Sequence, residues 1–268
     1  MSGSTYVISD IHGCFEEFQE MLKIISFSPD DRLFLAGDHI DRGKQSLEML
    51  RWLETCPTNI TPIKGNHDAE LSAYVCLMND IDISKSLQTD PDSNADAIAL
   101  YESVQYLLNR ASQDNSQYFD LYGTISDLLF HRETTFRDLC RWAGLLNSFP
   151  LYCRFPMESR DCVIVHAGFC DDTAGIRGNY GCPEEFMLYA RDDAITVGGV
   201  IDGLIVAGHT PTIATGNAYY TGGQVFRFHD EKRNCVFFNI DCGCAYREHH
   251  PVGKLACLRL EDEKVFYV

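Results

Sequence analysis

Two aspartates and an arginine crowd into the stretch Gly37-Asp38-His39-Ile40-Asp41-Arg42-Gly43. It follows directly on Arg32-Leu33-Phe34-Leu35-Ala36, an apolar run of strand type, and precedes a helical pattern that begins near Gln45. Carboxylates at the C-terminal end of a strand stand where open α/β sheets bind ligands. The flanking glycines let the backbone turn sharply and approach a ligand closely. Taken alone, the stretch also reads as a solvated Asp-rich turn. What decides between the two readings is whether the rest of the chain supplies partners for Asp38.

Other apolar runs end in the same way. Thr5-Tyr6-Val7-Ile8-Ser9 leads into Asp10-Ile11-His12-Gly13, and Asn59-Ile60-Thr61-Pro62-Ile63 into Lys64-Gly65-Asn66-His67-Asp68. Cys162-Val163-Ile164-Val165 leads into His166, and Gly203-Leu204-Ile205-Val206-Ala207 into Gly208-His209. A lone histidine after a strand is ordinarily a core residue with a hydrogen-bond partner. Histidines, carboxylates and an amide that all gather at strand-to-loop junctions are a different matter, because independent signals then agree. Imidazole nitrogen and carboxylate or amide oxygen suit divalent cations. Two such ions ~3.5–4 Å apart form the recurring clamp for in-line displacement at phosphorus. They need a bridging anion, and Asp38, on the middle strand, is placed to be it.

The elements that must position these residues follow from periodicity. Phe15, Phe18, Met21, Leu22 and Ile25 give a helical stripe between the first two strands. A second helix near Ser46–Glu54 is stopped by Pro57. Strands alternating with helices predict a βαβαβ unit and a parallel sheet. Residues 72–147 break the rhythm. They read as helices over Leu71–Met78, Asp96–Arg110, Leu121–His131 and Phe136–Leu146, with polar loops such as Thr89–Asn94 between them. We expect a single domain over 1–268 with a helical insertion or cap over 72–147. From Leu151 strands return, with a glycine-bearing loop from Asp171 to Gly181 and a helix over Glu184–Tyr189. Strands are then expected near Ala218–Thr221, Val225–Phe228, Cys235–Ile240, Leu255–Leu260 and Lys264–Tyr267, paired as antiparallel hairpins.

Composition narrows the partners. A formal net charge of −17 disfavours nonspecific binding to nucleic acid or to an anionic membrane, and neither is an expected partner. A phosphate ester would have to be held by cations brought in locally. The 12 cysteines form no CxxC pair, the start carries no signal-peptide pattern, and the thiols read as reduced and structural. No apolar run is long enough to span a bilayer. A soluble, cytoplasmic protein is expected.

The motif set resembles the metal-dependent phosphoprotein phosphatase family within the calcineurin-like metallophosphoesterases, above all bacterial and phage serine/threonine phosphatases and symmetric dinucleoside-tetraphosphate hydrolases. The matching segments are Ser9–Gly13, Gly37–Gly43, Gly65–Asp68, His166–Gly168 and Gly208–Thr210, in the family's order. The resemblance implies an α/β fold, a four-layer α-β-β-α sandwich of two mixed sheets. It implies two divalent metal ions, manganese first, with iron, zinc or magnesium as alternatives. Asp10, His12 and Asp38 would hold one ion, and Asp38, Asn66, His166 and His209 the other. A metal-bridging hydroxide would attack phosphorus, His67 would protonate the leaving oxygen, and Asp41 would orient His67. Arg42, with Asn66, would bind the phosphate, as would Arg191 in Leu188-Tyr189-Ala190-Arg191. Asp241 matches a strand-end carboxylate near the site, with a structural role equally in view.

Some positions depart from the family pattern. Ser9 and Ala167 replace glycines, and Asp68 replaces a glutamate one methylene longer. His39 reads as a turn residue pointing away from the metals, and His131, His229, His249 and His250 as surface or packing residues. The implied substrate is a phosphomonoester, with serine/threonine phosphoprotein as the family default. The alternative is hydrolysis of a symmetric dinucleoside polyphosphate or another small nucleotide. A catalytically silent metal-binding scaffold would instead show loss of His67, Asp41 or Arg42, and all three are present.

Overall fold

A computed structural model describes residues 3–80, 121–128, 134–157, 160–170, 180–195 and 203–268. Its first sheet is built on β1 (Thr5–Ile8), β2 (Arg32–Ala36) and β3 (Ile60–Ile63), parallel neighbours linked by α1 (Phe15–Ile24) and α2 (Ser46–Glu54). β9 (Ala256–Arg259) and β10 (Lys264–Tyr267) extend it antiparallel on the β1 side, giving the order β10-β9-β1-β2-β3. The second sheet has the order β4-β5-β6-β8-β7. Here β5 (Arg160–Val165), β6 (Gly203–Ala207) and β8 (Cys235–Asn239) run parallel, flanked by antiparallel β4 (Tyr152–Met157) and β7 (Phe226–Asp230).

Strand side chains alternate between faces, and the two faces of each sheet here go to different cores. In β1 and β2, Tyr6, Ile8, Leu33 and Leu35 face the helices, while Val7, Phe34 and Ala36 face the second sheet. In β5 and β6, Cys162, Ile164, Leu204 and Val206 join that shared inner core, and Val163, Val165, Ile205 and Ala207 point to the opposite side. Both faces being apolar explains why these strands read as unbroken hydrophobic runs. Phe34 and Phe155 stack across the inner core with centroids 5.0 Å apart and planes 6° apart.

Helices cover both outer faces. α1, α2, α3 (Asn66–Asp80) and α5 (Phe136–Asn147) bury Phe18, Leu50, Tyr74 and Trp142 against the first sheet. α4 (Tyr122–Ser126) adds Ile125 to the same core, and α6 (Pro183–Tyr189) covers the second sheet with Phe186 and Met187. The result is helix, sheet, sheet, helix. α3 and α5 are tied by the Ser72 hydroxyl, which donates to the carbonyl of Ala143 at 2.9 Å.

Three expectations need revision. The helix expected from Leu71 begins at Asn66, so the Asn66-His67-Asp68 motif is its first turn. The Asp68 carboxylate reaches back to the Gly65 N–H at 2.9 Å, the reciprocal capping contact that starts helices early. Ala218–Thr221 is not a strand. Its first two N–H groups are taken by side chains, Ala218 by Asp192 at 3.0 Å and Tyr219 by Asn217 at 2.8 Å, which turns the backbone away from a ladder. The expected hairpins form at β7–β8 and β9–β10, but β8 also pairs parallel with β6. The expected helix over Asp96–Arg110, the loop Thr89–Asn94, His131 and most of the Asp171–Gly181 loop lie outside the described residues. Among the described residues, no helix is long and apolar enough to cross a membrane.

Candidate metal centre and active site

The parallel strands of both sheets deliver their C-terminal ends to one place. β1 supplies Asp10 and His12, β2 supplies Asp38, Asp41 and Arg42, and β3 runs into Asn66 and His67; β5 supplies His166 and β6 His209. The turns that follow are tightly wound. Asp10, His12, Asp38, Asp41, Arg42 and His209 all have positive φ, between 47° and 75°. Such non-glycine conformations cost roughly 1–3 kcal/mol each and persist only where the surroundings over-determine them. Here the first two loops are laced together. His12 N–H donates to Asp38 at 2.8 Å, Gly13 N–H to His39 at 2.9 Å and Gly43 N–H to His12 at 2.8 Å, each to the backbone carbonyl.

Asp38 stands at the centre. Its Oδ2 lies 3.3 Å from His12 Nε2, and its Oδ1 lies 3.5 Å from His166 Nε2. One carboxylate oxygen thus faces each of two groups. In the first, His12, Asp38 and His67 bring ligand atoms within 4.8 Å of one another, with Asp10 Oδ1 4.0 Å from His12 Nε2. In the second, Asp38 joins His166 and His209. There Asn66 Oδ1 lies 2.9 Å from both His166 Nε2 and His209 Nδ1.

The donors fit a pair of divalent cations. His12 Nδ1–H is spent on the Ile40 carbonyl at 3.0 Å and His166 Nδ1–H on the Ala36 carbonyl at 2.9 Å. Each tautomer is thereby fixed, with the Nε2 lone pair turned into the site. Burial holds His12 and His209 well below the usual imidazole range, with Arg42 beside His12 and His166 beside His209 adding to it. Both rings are therefore neutral, the form that coordinates metal. Burial, and then the neighbouring Asp38, push Asp10 up to about 8. Buried carboxylates that repel one another in this way are relieved by a cation. Room for the arrangement depends on glycines. A Cβ on Gly65 would sit 2.1 Å from Asp38 N, and one on Gly208 would sit 1.9 Å from Asp10 Oδ2.

A second layer of contacts borders the cluster. His67 Nδ1 is 2.8 Å from Asp41 Oδ2, and Arg42 Nη1 and Nη2 lie 3.0 Å from His12 Nε2 and His67 Nε2 respectively. Burial opposes a charge on His67, but the Asp38 charge and the Asp41 hydrogen bond outweigh it and raise its pKa. Asp41 is held below its usual value, because hydrogen bonds from His67 and Thr124 outweigh its burial. Asp241 is buried behind Asp10, takes the Gly243 N–H at 2.9 Å, and is pushed well above the usual carboxylate range, by burial first and then by Asp10.

The structure thus gathers Asp10, His12, Asp38, Asp41, Arg42, Asn66, His67, His166 and His209 in one place. Arg191 lies at the edge of the cluster, close enough for its charge to act on His209. It is exposed, at the rim of an adjoining cavity of about 720 Å³ lined also by Tyr180, Tyr189, Thr210 and Asn217. His39 is not a simple turn residue. It is fully buried, and its Nδ1 lies 2.8 Å from Asp68 Oδ2. Asp68 also accepts the N–H of Asp38 at 3.1 Å and of His39 at 3.2 Å, so the shorter side chain still reaches the backbone of the central loop. His229, His249 and His250 are exposed. Two neighbours escaped the sequence reading. Thr124 of α4 donates its hydroxyl hydrogen to Asp41 Oδ1, and Tyr246 lies under Arg42, whose Cζ is 5.3 Å from the ring centre. Neither carries a local sequence signal.

The model of one protein family, the calcineurin-like phosphoesterases, matches residues 3–241. The chain belongs to that family. Among curated relatives, a symmetrical bis(5'-nucleosyl)-tetraphosphatase of Chromobacterium violaceum is 49% identical over 69 residues, which cover 25% of this chain and 25% of that protein. The enzyme of the same name from Actinobacillus pleuropneumoniae serotype 3 is 39% identical over 107 residues, 40% of this chain and 37% of that one. The matches therefore span well under half of these relatives' length. In fold, the chain is similar to a solved structure described as a putative diadenosine tetraphosphatase. The two have a TM-score of 0.52 at 17% identity, covering 100% of this chain and 94% of the other. It is similar also to a protein serine/threonine phosphatase from Saccharomyces cerevisiae, with a TM-score of 0.53 at 12% identity, covering 100% and 79%. At such identities the likeness concerns the calcineurin-like fold.

Proposed function

We propose that this calcineurin-like phosphoesterase hydrolyses symmetric dinucleoside polyphosphates. The observation that carries this reading is that the relatives sharing its sequence are named symmetrical bis(5'-nucleosyl)-tetraphosphatases. It takes the place of the phosphoprotein default expected from the motifs, since the serine/threonine phosphatase likeness is one of fold at 12% identity.

In this reading Asp10, His12 and Asp38 hold one divalent ion, and Asp38, Asn66, His166 and His209 hold a second, with manganese as the expected metal. Such ions supply Lewis acidity that offsets phosphoryl charge and makes water a nucleophile at neutral pH. The chain's own residues do the rest. Arg42 offers a planar pair of donors to phosphoryl oxygens that develop charge. His67, whose pKa Asp38 and Asp41 raise, can give an Nε2 proton to a leaving oxygen basic enough to need one. Asp41 fixes the tautomer and ring plane through the 2.8 Å contact to Nδ1. Arg191 grips a more distant phosphate from the rim.

The test is a side-by-side assay of the manganese-loaded chain on diadenosine tetraphosphate and on a phosphoserine peptide. We expect ADP as the sole nucleotide product and a preference for the dinucleotide of at least about tenfold in kcat/KM. Preference for the peptide would return the assignment to protein phosphatase. AMP plus ATP as products would overturn the symmetric cleavage.

A further inference from the structure

Cys14 and Cys244 are free thiols with no part in the site as described above. Cys14 precedes α1, directly after the loop of His12 and Gly13; Cys244 follows Gly243, in the loop that leaves Asp241. Although they lie at opposite ends of the sequence, their sulfurs lie within 4.8 Å of each other and of a Glu17 carboxylate oxygen. Each residue is almost wholly buried, at 1% and 3% exposure. Arg247 covers the pair: Nη1 lies 3.0 Å from Cys14 Sγ and Nη2 lies 2.5 Å from Glu17 Oε1.

Two sulfurs and a carboxylate would suit a soft cation, but the Arg247 guanidinium already supplies the positive charge there. A metal would have to displace a group held by three partners, since Arg247 Nη1 also donates to the Cys244 carbonyl at 3.3 Å. The close approach of the two sulfurs, within 4.8 Å, is what distinguishes them. Cys162 and Cys257, by contrast, are packed as small apolar side chains within strands. The Arg247 side chain is 37% exposed, so a swing of that one side chain opens a path from solvent to the sulfurs.

We propose that Cys14 and Cys244 are an oxidative modification site, converted to an intramolecular disulfide by a two-electron oxidant such as a peroxide or a small-molecule disulfide. One sulfur attacks the oxidant and is left as a sulfenic acid or a mixed disulfide. The other sulfur then displaces water or the small thiol and closes the S–S bond. Two thiols lose two protons and two electrons in all; a peroxide ends as water and alcohol or as two waters, and a small disulfide ends as two thiols.

Closure draws the sulfurs to a bond of about 2.05 Å and displaces what they hold. Cys14 Sγ lies 3.8 Å from the His12 carbonyl, and Cys244 begins the turn that carries Tyr246 beneath Arg42. Oxidation therefore loosens the seat of Arg42 and lowers turnover. This consequence rests on the phosphohydrolase reading, whereas the disulfide itself does not.

Mapping decides the matter. The metal-loaded full chain is treated with diamide, alkylated, digested with trypsin without reductant and examined by mass spectrometry. We expect the peptide 1–23 joined to the peptide 234–247, with separation by dithiothreitol. The second peptide also holds Cys235 and Cys242, so loss of the link in Cys244→Ser assigns the sulfur, and Cys14→Ser provides the same check from the other side. Cys244→Ser should keep basal turnover and resist diamide, while the unmodified chain loses about threefold or more and recovers on reduction. Full alkylation of both cysteines after diamide, or a link that survives Cys244→Ser, overturns the site. A complete link with unchanged turnover overturns the effect on Arg42. Because mapping needs no substrate, an inactive chain still decides the chemistry.

Discussion

Thr124, on the short helix α4, donates its hydroxyl hydrogen to one oxygen of Asp41 while the other oxygen of that carboxylate holds His67 Nδ1 at 2.8 Å. A residue from the segment that interrupts the strand pattern thereby reaches the Asp41–His67 pair. The carboxylate is fixed from both sides, so its plane, and with it the ring of His67, has a single setting.

Removing that hydroxyl should be felt in turnover rather than in binding. A hydrogen bond to a charged acceptor contributes about 1.5–3 kcal/mol, and loss of the lower figure is about tenfold in rate. We expect Thr124→Val to lower kcat on that scale with KM nearly unchanged, and Thr124→Ser to restore most of it. Steady-state kinetics on both variants check this; a Ser variant as slow as Val would mean that Thr124 acts through packing.

Asp38 divides its two oxygens between the halves of the site, and each half should respond separately to mutation. Elemental analysis after loading with manganese should show that Asp38→Asn loses both ions. His12→Ala should lose one while His166→Ala loses the other. Chelation should lower the unfolding temperature of the unmodified chain, because ions that bind only the folded state stabilise it by mass action. The same treatment should leave Asp38→Asn unmoved.

The buried His39–Asp68 pair predicts a pH dependence of stability. Burial alone would raise Asp68, but the His39 charge and hydrogen bond, with the Gly65 N–H, hold it below its ordinary value of 3.8. A carboxyl depressed in the folded state contributes fully above its unfolded pKa and loses that contribution as pH falls through the folded one. Removing one partner of a buried pair costs about 3–5 kcal/mol. Asp68→Asn should therefore melt well below the unmodified chain at neutral pH, and the gap should narrow once the pH falls below about 4. Thermal melts across that range measure it.

The same pair shows where reading a sequence stops. The strand-end constellation was legible because apolar runs of strand type end abruptly in polar motifs, and parallel neighbours deliver those ends to one edge. His39 and Asp68 lie in those very motifs. Yet their partnership depends on α3 beginning at Asn66, which rests on Asp68 reaching back to the Gly65 N–H and not on any apolar periodicity. Thr124 and Tyr246 reach Asp41 and Arg42 from far along the chain, in segments whose own pattern is unremarkable. Ala218–Thr221 failed as a strand for the opposite reason. Its residue types suit a sheet, but side chains from Asn217 and Asp192 take its first two N–H groups.

The leaving group offers the sharpest test of the assignment. Cleaving a dinucleoside tetraphosphate in its middle releases a nucleoside diphosphate, a weakly basic anion that departs without first receiving a proton. Cleaving phosphoserine releases an alkoxide, which needs one. General acid assistance of about 10²–10⁴ should then be required in the second case and largely dispensable in the first. His67→Asn should lose activity toward a phosphoserine peptide or an alkyl phosphate by at least about a hundredfold, yet toward diadenosine tetraphosphate by only about tenfold or less. Equal losses on both substrates would mean that His67 positions Asp41 and Arg42 through its contacts at 2.8 and 3.0 Å, and that proton donation is not what it contributes.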